Sequence, residues 1–278
     1  MFSLVDRFLG ECVLSKVFKP EALLKVSIIT VCYNSAKTIA DTLESVIQQD
    51  YADIEYIIVD GLSKDNTWSL IQNALPQLPA STVCIQERDK GIYDAMNKGL
   101  AKATGDVIGF LNSDDVLADK SVISRIAEGF RGSNTDMVYG DLVYTKEDDL
   151  RQVTRVWKSG RMPRLRMRTG WHPAHPTMYV RKEVLKGQPF DLRFIIAADY
   201  EIMVRLLEKL KISANYLPYV MVRMREGGLS NRGIQNILKA NLECMIAWRQ
   251  NGFIPNPFTI TLKLARKVLQ IQRTSTLV

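Results

Sequence analysis

The 278-residue sequence contains neither of the glycine-rich motifs that most nucleotide-binding α/β proteins use to hold phosphates. No Gly-x-Gly-x-x-Gly follows the first strand-like segment, which continues as Val31-Cys32-Tyr33-Asn34-Ser35, and no Gly-x-x-x-x-Gly-Lys-Ser/Thr occurs anywhere. These absences argue against a dinucleotide-binding protein and against a P-loop NTPase. A nucleotide diphosphate bound by this chain would need its charge neutralised in another way, for instance by a metal ion.

Long hydrophobic runs are also missing. No segment approaches the ~18 apolar residues that a membrane-spanning helix needs. The first 20 residues lack a positively charged start, and charged side chains interrupt their apolar residues, which argues against a secretory signal. The four cysteines show no spacing typical of a metal or redox site. Together these features predict a reduced, cytoplasmic location.

Acidic residues are absent from two stretches of a chain whose net charge is +7. Residues 151–182 contain nine Lys or Arg and no Asp or Glu, and residues 258–278 contain four Lys or Arg and again no acid. Such stretches attract phosphates, anionic lipid or nucleic acid, and a basic face that only contacts solvent is the alternative. Nucleic acid is disfavoured because aromatic residues are not interleaved with the cations. We therefore expect a phosphorylated substrate or an anionic membrane surface as partner.

From residue 26 the sequence alternates between short β-branched, apolar runs and amphipathic segments. This alternation predicts an α/β fold with a doubly wound, mostly parallel sheet and helices on both faces. The predicted strands are 26–31, 55–59, 81–86 and 106–111, with helices at about 35–49, 68–75 and 92–103. The less regular second half predicts strands at 137–144, 153–157, 177–180 and 212–219, and helices at 198–210, 233–251 and 258–270.

The domain organisation follows from the same patterns. Residues 1–25 are predicted to form an amphipathic helical extension, since apolar residues there recur at helical spacing. Residues 26–230 are predicted to form the main domain, with a first half at 26–118 and a second half at 119–230. Residues 231–278 are predicted to be a basic helical region.

Polar residues follow each of the first four predicted strands. Because the carboxyl ends of parallel strands meet at one edge of the sheet, where ligands bind, we expect these residues to lie close together. The last group includes Asp114 and Asp115, directly after a buried strand, and two carboxylates in that position suit Mg²⁺ or Mn²⁺ held with a substrate diphosphate. The alternative is a polar turn in which one of the two is the N-cap of a following helix.

Four segments carry a resemblance to a known family. They read VSIITVCYN at 26–34, IIVDGLSKDNT at 57–67, ERDKGIYDAMNKG at 87–99 and GDVIGFLNSDD at 105–115. In these segments the chain resembles family 2 glycosyltransferases of the GT-A fold, especially the bacterial group that acts in capsule, exopolysaccharide and O-antigen assembly. The likeness extends over about residues 26–230 and implies a nucleotide-diphospho-sugar transferase fold, with a nucleotide-sugar-binding half at 26–118 and an acceptor half at 119–230.

The resemblance also implies roles for residues at the sheet edge. Tyr33 is placed to lie against the base, and Asp60 to accept hydrogen bonds from a uracil-type imide or the ribose. Asp114 and Asp115 match an Asp-x-Asp-type element that holds a divalent cation, but Asn112 stands where the commonest pattern has its first acid. The expected nucleotide-sugar-binding residues are Tyr33, Asp60, Asp89, Lys90, Asn112, Asp114, His175 and Arg225, and the expected metal ligands are Asp115 and Asp114.

Asp199 is the candidate catalytic base, because it matches the acidic position where the family places that group. Inversion at the anomeric carbon is a single displacement, so one carboxylate near the acceptor oxygen suffices. A helix N-cap is the alternative role for Asp199, and Glu201 and Asp191 are weaker candidates for the base. His175 resembles a position near the donor phosphates or the acceptor. A metal site formed by His172 with His175 is disfavoured, since the neighbouring prolines preclude a regular helix.

Two further features are assigned by the resemblance. Residues 227–230 are similar to the family's mobile segment, and Arg223 is an alternative to Arg225 for contact with the diphosphate. The sequence therefore predicts an inverting glycosyltransferase that uses Mg²⁺ or Mn²⁺ and a nucleotide-sugar donor, with UDP-sugars favoured, and a lipid-linked or oligosaccharide acceptor. A catalytically lapsed binding protein of the same fold is the alternative. Peripheral contact with the cytoplasmic face of the inner membrane is left open, and nucleic acid is not expected.

Overall fold

The computed structural model of the protein describes residues 23–163, 166–227, 234–256, 258–259 and 262. In these residues one sheet is flanked by helices on both faces. The strands are β1 Val26–Cys32, β2 Ile54–Asp60, β3 Ser81–Gln86, β4 Val107–Phe110, β5 Asp115–Leu117, β6 Met137–Thr145, β7 Val153–Trp157, β8 Tyr179–Arg181 and β9 Ala214–Arg225. The helices are α1 Ile39–Ile47, α2 Thr67–Ala74, α3 Ile92–Lys102, α4 Val122–Phe130, α5 Lys182–Leu185, α6 Ala198–Val204 and α7 Ile234–Gln250.

The first half of the sheet is parallel. Strands run in the order β3-β2-β1-β4, and all seven residues of β1 and of β2 are buried. Strands covered by helices on both faces need continuous apolar runs rather than alternating ones, which is why these strands could be predicted from the sequence. Parallel pairing brings the carboxyl ends of β1, β2, β3 and β4 to one edge, as expected.

The second half extends the same sheet. The order continues β4-β8-β6-β9-β5, where β8 is antiparallel to both neighbours, and β7 pairs with β6 outside this path. Strand β9 is the longest at 12 residues and pairs parallel with β6 and antiparallel with β5. This arrangement returns the end of β9 to the turn that follows β4.

Three elements were not predicted, namely strand β5, helix α4 and the four-residue helix α5, and one of them bears on the site. Asp115 begins the three-residue strand β5, whereas the next helix, α4, begins only at Val122 with Ser121 as its N-cap. The alternative reading of Asp114 or Asp115 as a helix N-cap is therefore wrong. Helix α4 itself was also missed.

Several predicted boundaries shift. The helix expected at 198–210 is α-helical only to Val204 and continues as a π-helical turn over 205–209, and the strand expected at 212–219 begins at Ala214 and extends to Arg225. Most of the predicted 1–25 helix, residues 228–230 of the predicted mobile segment and most of the 258–270 helix lie outside the described residues. Within the described part of the chain, no helix has both the length and the apolarity to cross a membrane.

Candidate active site

The turn after β4 places a buried carboxylate at the sheet edge. The Asp115 side chain is fully buried, and its Oδ2 accepts a 2.9 Å hydrogen bond from the Asn112 amide nitrogen. The Asp115 N–H closes the turn on the Asn112 carbonyl at 3.1 Å, and Thr42 donates to the Asp115 carbonyl at 2.7 Å. The other carboxylate oxygen, Oδ1, is buried and has no hydrogen-bond partner among the described residues.

The surroundings of Asp115 disfavour the charged form of its carboxylate unless a cation lies beside it. Burial and the neighbouring charge of Asp114 raise the pKa of Asp115 well above its usual range, against the opposing effects of Asn112 and Arg225. An orphaned, buried carboxylate oxygen next to a second carboxylate fits a divalent cation, because the cation satisfies the oxygen and stabilises its charged form. Among the described residues, no group of three or more His, Cys, Asp or Glu side chains forms a complete protein-only metal site.

Arg225, at the end of β9, holds this turn from the side. Its Nη1 donates to the Asp114 carbonyl at 2.7 Å, its Nε donates to the Glu147 carbonyl at 3.1 Å, and it forms an ion pair with Asp41 on α1. The residue is only 7% exposed. The observed role of Arg225 is thus to position the turn, and direct contact with a donor diphosphate stays a prediction.

The ends of β1, β2 and β3 converge around a glycine. A Cβ at Gly61 would lie 2.5 Å from Asp89 Oδ2, so the Asp89 carboxylate can come this close only to a glycine, whereas the 3.5 Å to Tyr33 Cδ2 is ordinary van der Waals contact. The Tyr33 ring is 56% exposed, which leaves a face open to a planar ligand. Lys90 has an exposed side chain, and its N–H donates to Asp94 Oδ2 at 2.9 Å at the start of α3. Tyr33, Asp89 and Lys90 thus border the predicted nucleotide site.

Asp60 differs from these neighbours because it is fully buried and satisfied within the chain. Its Oδ2 accepts hydrogen bonds at 3.1 Å from the Ser63 N–H and from the Gln86 amide, and its Oδ1 accepts from the Ser63 hydroxyl and, at 3.6 Å, from the Cys32 thiol. The visible role of Asp60 is to fix the loop beside Tyr33. Direct contact with a base or ribose stays a prediction and would require these bonds to rearrange.

Asp199, the candidate base, lies in the first turn of α6. The N-cap of this helix is Ala197, so the alternative role of Asp199 as the N-cap is wrong. Asp199 Oδ1 accepts hydrogen bonds from the Tyr200 N–H at 2.8 Å and from the Tyr93 hydroxyl at 3.3 Å. The Tyr93 hydroxyl also lies 2.7 Å from the Ile196 carbonyl. Both hydrogen bonds to the Asp199 carboxylate are to Oδ1, and Asp199 Oδ2 has no hydrogen-bond partner among the described residues, so Oδ2 can accept a proton or a hydrogen bond from a ligand.

The two weaker base candidates are engaged elsewhere. Asp191 forms a 2.6 Å ion pair with Arg193, whose hydrogen bonds lower the pKa of Asp191. Glu201 is buried, pairs with Arg205 at 2.9 Å and accepts a 3.0 Å hydrogen bond from Asn251. These contacts favour Asp199 over both.

The His175 ring lies between Phe110 and Phe190. Its ring stacks on Phe110, the last residue of β4, at a centroid distance of 5.7 Å and meets the Phe190 ring edge-on at 5.8 Å. Burial lowers the pKa of His175, and the charge of Asp199 acts in the opposite direction, so the imidazole is neutral near pH 7. A neutral imidazole can accept or donate a hydrogen bond, and it carries no positive charge that would repel a cation.

Tyr144 and Arg155 were missed by the sequence reasoning. Burial raises the pKa of Tyr144, and the neighbouring Arg155 guanidinium opposes that effect. The Arg155 guanidinium lies 3.6 Å from the Tyr144 ring centroid, is 7% exposed and has no carboxylate within 4.0 Å among the described residues. Only the β6–β7 pairing, which sets Tyr144 opposite Arg155, brings them together.

Comparison with known protein families identifies the family to which this chain belongs. The profile described as Glycosyl transferase family 2 matches residues 27–187. The chain belongs to this family. A Mycobacterium bovis protein named PGL/p-HBAD biosynthesis glycosyltransferase is 30% identical to this glycosyltransferase over 209 residues, which are 74% of this chain and 78% of the relative. That name places the relative outside the capsule and O-antigen group that the sequence motifs suggested.

Solved structures share the fold of this glycosyltransferase. S. aureus TarS in complex with UDP-GlcNAc has a TM-score of 0.65 at 18% identity, covering 82% of this chain and 65% of the TarS chain. Glucosyl-3-phosphoglycerate synthase from Mycobacterium tuberculosis, in complex with Mn²⁺, UDP and its product, has a TM-score of 0.58 at 15% identity, covering 84% and 82%. The GT-A fold predicted from the sequence is confirmed by this likeness.

Proposed function

We propose that this glycosyltransferase moves a sugar, with inversion, from a nucleotide donor to a lipid-linked or growing glycan acceptor, and that it uses Mg²⁺ or Mn²⁺. The observation that carries the proposal is the buried Asp115, whose Oδ1 has no hydrogen-bond partner among the described residues, at the sheet edge where the parallel strands β1 to β4 end. UDP-sugars are the favoured donors, since TarS binds UDP-GlcNAc and the synthase binds UDP.

The donor would lie along the ends of β1 to β4. The exposed ring of Tyr33 offers a stacking face for the base, and Asp89 beside Gly61 offers carboxylate oxygens to the nucleoside. The diphosphate then reaches the turn at Asn112, with Lys90 and His175 as further polar contacts. This order places the leaving group over the two carboxylates that need a cation.

Asp115 Oδ1 and the Asp114 carboxylate would hold the divalent cation, and the Asn112 amide oxygen is a third, uncharged donor. When bound, the cation would act as a Lewis acid that stabilises the charge of the departing nucleoside diphosphate. Because no group of three or more His, Cys, Asp or Glu side chains in the described residues could hold a metal ion alone, oxygens of the donor diphosphate would supply further ligands. Arg225 keeps the turn in place through the Asp114 carbonyl.

Asp199 acts on the acceptor. Its Oδ2 takes the proton of the acceptor hydroxyl as that oxygen attacks the anomeric carbon, while the bond from this carbon to the phosphate oxygen breaks. Tyr93 and the Tyr200 N–H hold Oδ1, which orients the carboxylate and leaves Oδ2 toward the acceptor. One displacement with one base gives inversion.

The acceptor class rests on charge. The basic segment 151–182 suits a phosphorylated or lipid-linked acceptor at the cytoplasmic face of a membrane, and we propose glycan or glycolipid assembly as the setting. Capsule, exopolysaccharide or O-antigen assembly is one such setting. The relative named for PGL/p-HBAD biosynthesis represents another.

A donor screen tests the proposal. The full chain is incubated with a panel of nucleotide sugars and Mn²⁺, and nucleoside diphosphate release is measured with and without membrane-extracted acceptors. Asp115→Asn and Asp199→Asn are expected to lose at least about 100-fold in rate, because each removes a charge that acts in the transition state. Asp53→Asn, next to the opposite end of β2, is the matched control and should retain full activity.

A lapsed binding protein is the second candidate, favoured only by Asn112 in place of an acid. It requires nucleotide binding by calorimetry with no transfer and no donor hydrolysis. Turnover that depends on Asp199 excludes it.

A further inference from the structure

Helix α7 leaves one apolar face uncovered. Leu238, Leu242 and Ile246 recur at four-residue spacing and are 59%, 65% and 51% exposed. The opposite face buries Ala247 and Trp248 against the body of the protein. When one face of a helix packs against the protein and the opposite face is apolar, the exposed face is a candidate interaction surface.

The apolar face continues onto the loop that precedes α6, where Leu192 is 48% exposed and Ile195 is 57% exposed. The buried carboxylate of Glu243 joins this loop to α7, because it accepts the N–H groups of Ile195, Ile196 and Ala197 at 3.1, 2.9 and 2.8 Å. We call the five exposed apolar residues Leu192, Ile195, Leu238, Leu242 and Ile246 the α7 surface.

Most of the charges beside the α7 surface are positive. Lys239 and Arg249 are exposed on the helix, and its only acid, Glu243, is buried. On the loop, Asp191 forms an ion pair with the exposed Arg193, which neutralises its charge. After the helix, Ile254 is 90% exposed. Apolar side chains bordered by cations complement an anionic lipid surface, whereas a second copy of the chain would bring like charges together.

We propose that the α7 surface docks on an anionic lipid bilayer and presents the acceptor side of the active site to it. Asp199 lies four residues after Ile195, and Glu243 fixes the loop between them to α7. Docking would therefore hold the base near the head groups, where the reactive end of a lipid-linked acceptor lies. The inference rests on the proposed function and specifies the membrane as the place where its acceptor is met.

Vesicle flotation tests the surface directly. The purified full chain is mixed with vesicles of phosphatidylcholine alone or of phosphatidylcholine with phosphatidylglycerol, and the floating fraction is measured. The wild type is expected to float with the anionic vesicles only. The triple variant Leu238→Gln, Leu242→Gln, Ile246→Gln is expected to bind the anionic vesicles at least about tenfold more weakly than the wild type, because it loses three inserted apolar side chains. Val83→Thr, an exposed apolar position on β3, should float like the wild type.

Two readouts separate docking from catalysis and folding. Thermal unfolding and donor hydrolysis without vesicles should be equal in the wild type and the triple variant. Equal flotation of the two proteins overturns the inference, and so does a wild-type dimer that the triple variant dissociates while neither binds vesicles. Flotation of the wild type without hydrolysis of any donor would overturn the proposed function and leave the docking surface standing.

Discussion

Arg225 and Asp41 form an ion pair across the active-site turn, joining the end of β9 to the first turn of α1. The same guanidinium donates to the Asp114 carbonyl at 2.7 Å, so the backbone of the proposed metal site is held by a residue 111 positions later in the chain. The contacts of Arg225 add to the hydrogen bonds of Ser35, Thr38 and Thr42 that hold Ser113 and Asp115, and together they keep the two carboxylates of the turn in place.

Arg225→Lys is therefore expected to weaken the turn, since lysine cannot reproduce three contacts in different directions. The free energy of unfolding should fall by about 2–4 kcal/mol, and Mn²⁺-dependent activity by about tenfold or more. Urea unfolding and Mn²⁺ titration of activity are the measurements. Arg131→Lys, at an exposed position directly after α4, is the control, and equal losses in both variants would contradict a specific role for Arg225.

Asn112→Asp should increase cation affinity. The change adds a third carboxylate to the turn and removes the amide that donates to Asp115, so the protein without a cation becomes less stable and gains more from Mn²⁺. We expect the Mn²⁺-induced rise in thermal unfolding temperature to exceed that of the wild type, and the dissociation constant to fall by about tenfold. An unchanged response to Mn²⁺ would place the cation away from this turn.

Tyr93→Phe tests the orientation of the base. It removes the hydroxyl that contacts Asp199 Oδ1 and Ile196 while keeping the ring stacked on Phe190. The turnover number should fall by about tenfold, with little change in the KM for the donor, because the donor site is untouched. A larger effect on donor KM than on turnover would show that Tyr93 serves the other side of the site.

Gly61→Ala tests the convergence of the first three strands. The new Cβ would lie 2.5 Å from Asp89 Oδ2, so the Asp89 side chain must move while the backbone stays in place. We expect weaker nucleotide binding by calorimetry, about tenfold in dissociation constant, with an unfolding temperature close to that of the wild type. Unimpaired binding would remove Asp89 from the nucleoside site.

Glu55 gives the fold a pH dependence that can be measured apart from catalysis. Burial raises its pKa, but hydrogen bonds from Ser27, Thr104 and Lys25 outweigh that effect and lower the pKa to about 2. The depressed pKa contributes stability that is present above the unfolded value near 4.5 and is lost as the pH falls toward 2. Glu55→Gln should be less stable than the wild type at pH 7, by about 3 kcal/mol, and the difference should shrink by pH 3 in urea unfolding. A difference independent of pH would mean that the contacts of Glu55 do not depend on its charge.

The sequence predicted the parallel half well for a physical reason. Strands such as β1 and β2 are buried on both faces and read as continuous apolar runs, and their polar ends mark the sheet edge. Strand β5 escaped because three residues give no periodicity, and its partner β9 is more than 100 residues away. The enclosure of Asp60 and the support of the turn by Arg225 depend on contacts between residues distant in the chain, which local pattern does not contain. Tyr144 and Arg155 are only 11 residues apart, but their meeting depends on the register of the β6–β7 pair, which the pattern does not specify either.

The pairing of β4 with β8 has a further consequence for turnover. Backbone hydrogen bonds join the 26–118 half to the 119–230 half through one continuous sheet, and β5 with β9 adds a second seam. The two halves therefore cannot swing apart as lobes without breaking these ladders. Substrates must therefore enter, and products leave, through movements of the loops above the strand ends. The distance between the Asp115 and Asp199 carboxylates is fixed when the chain folds and does not change during turnover.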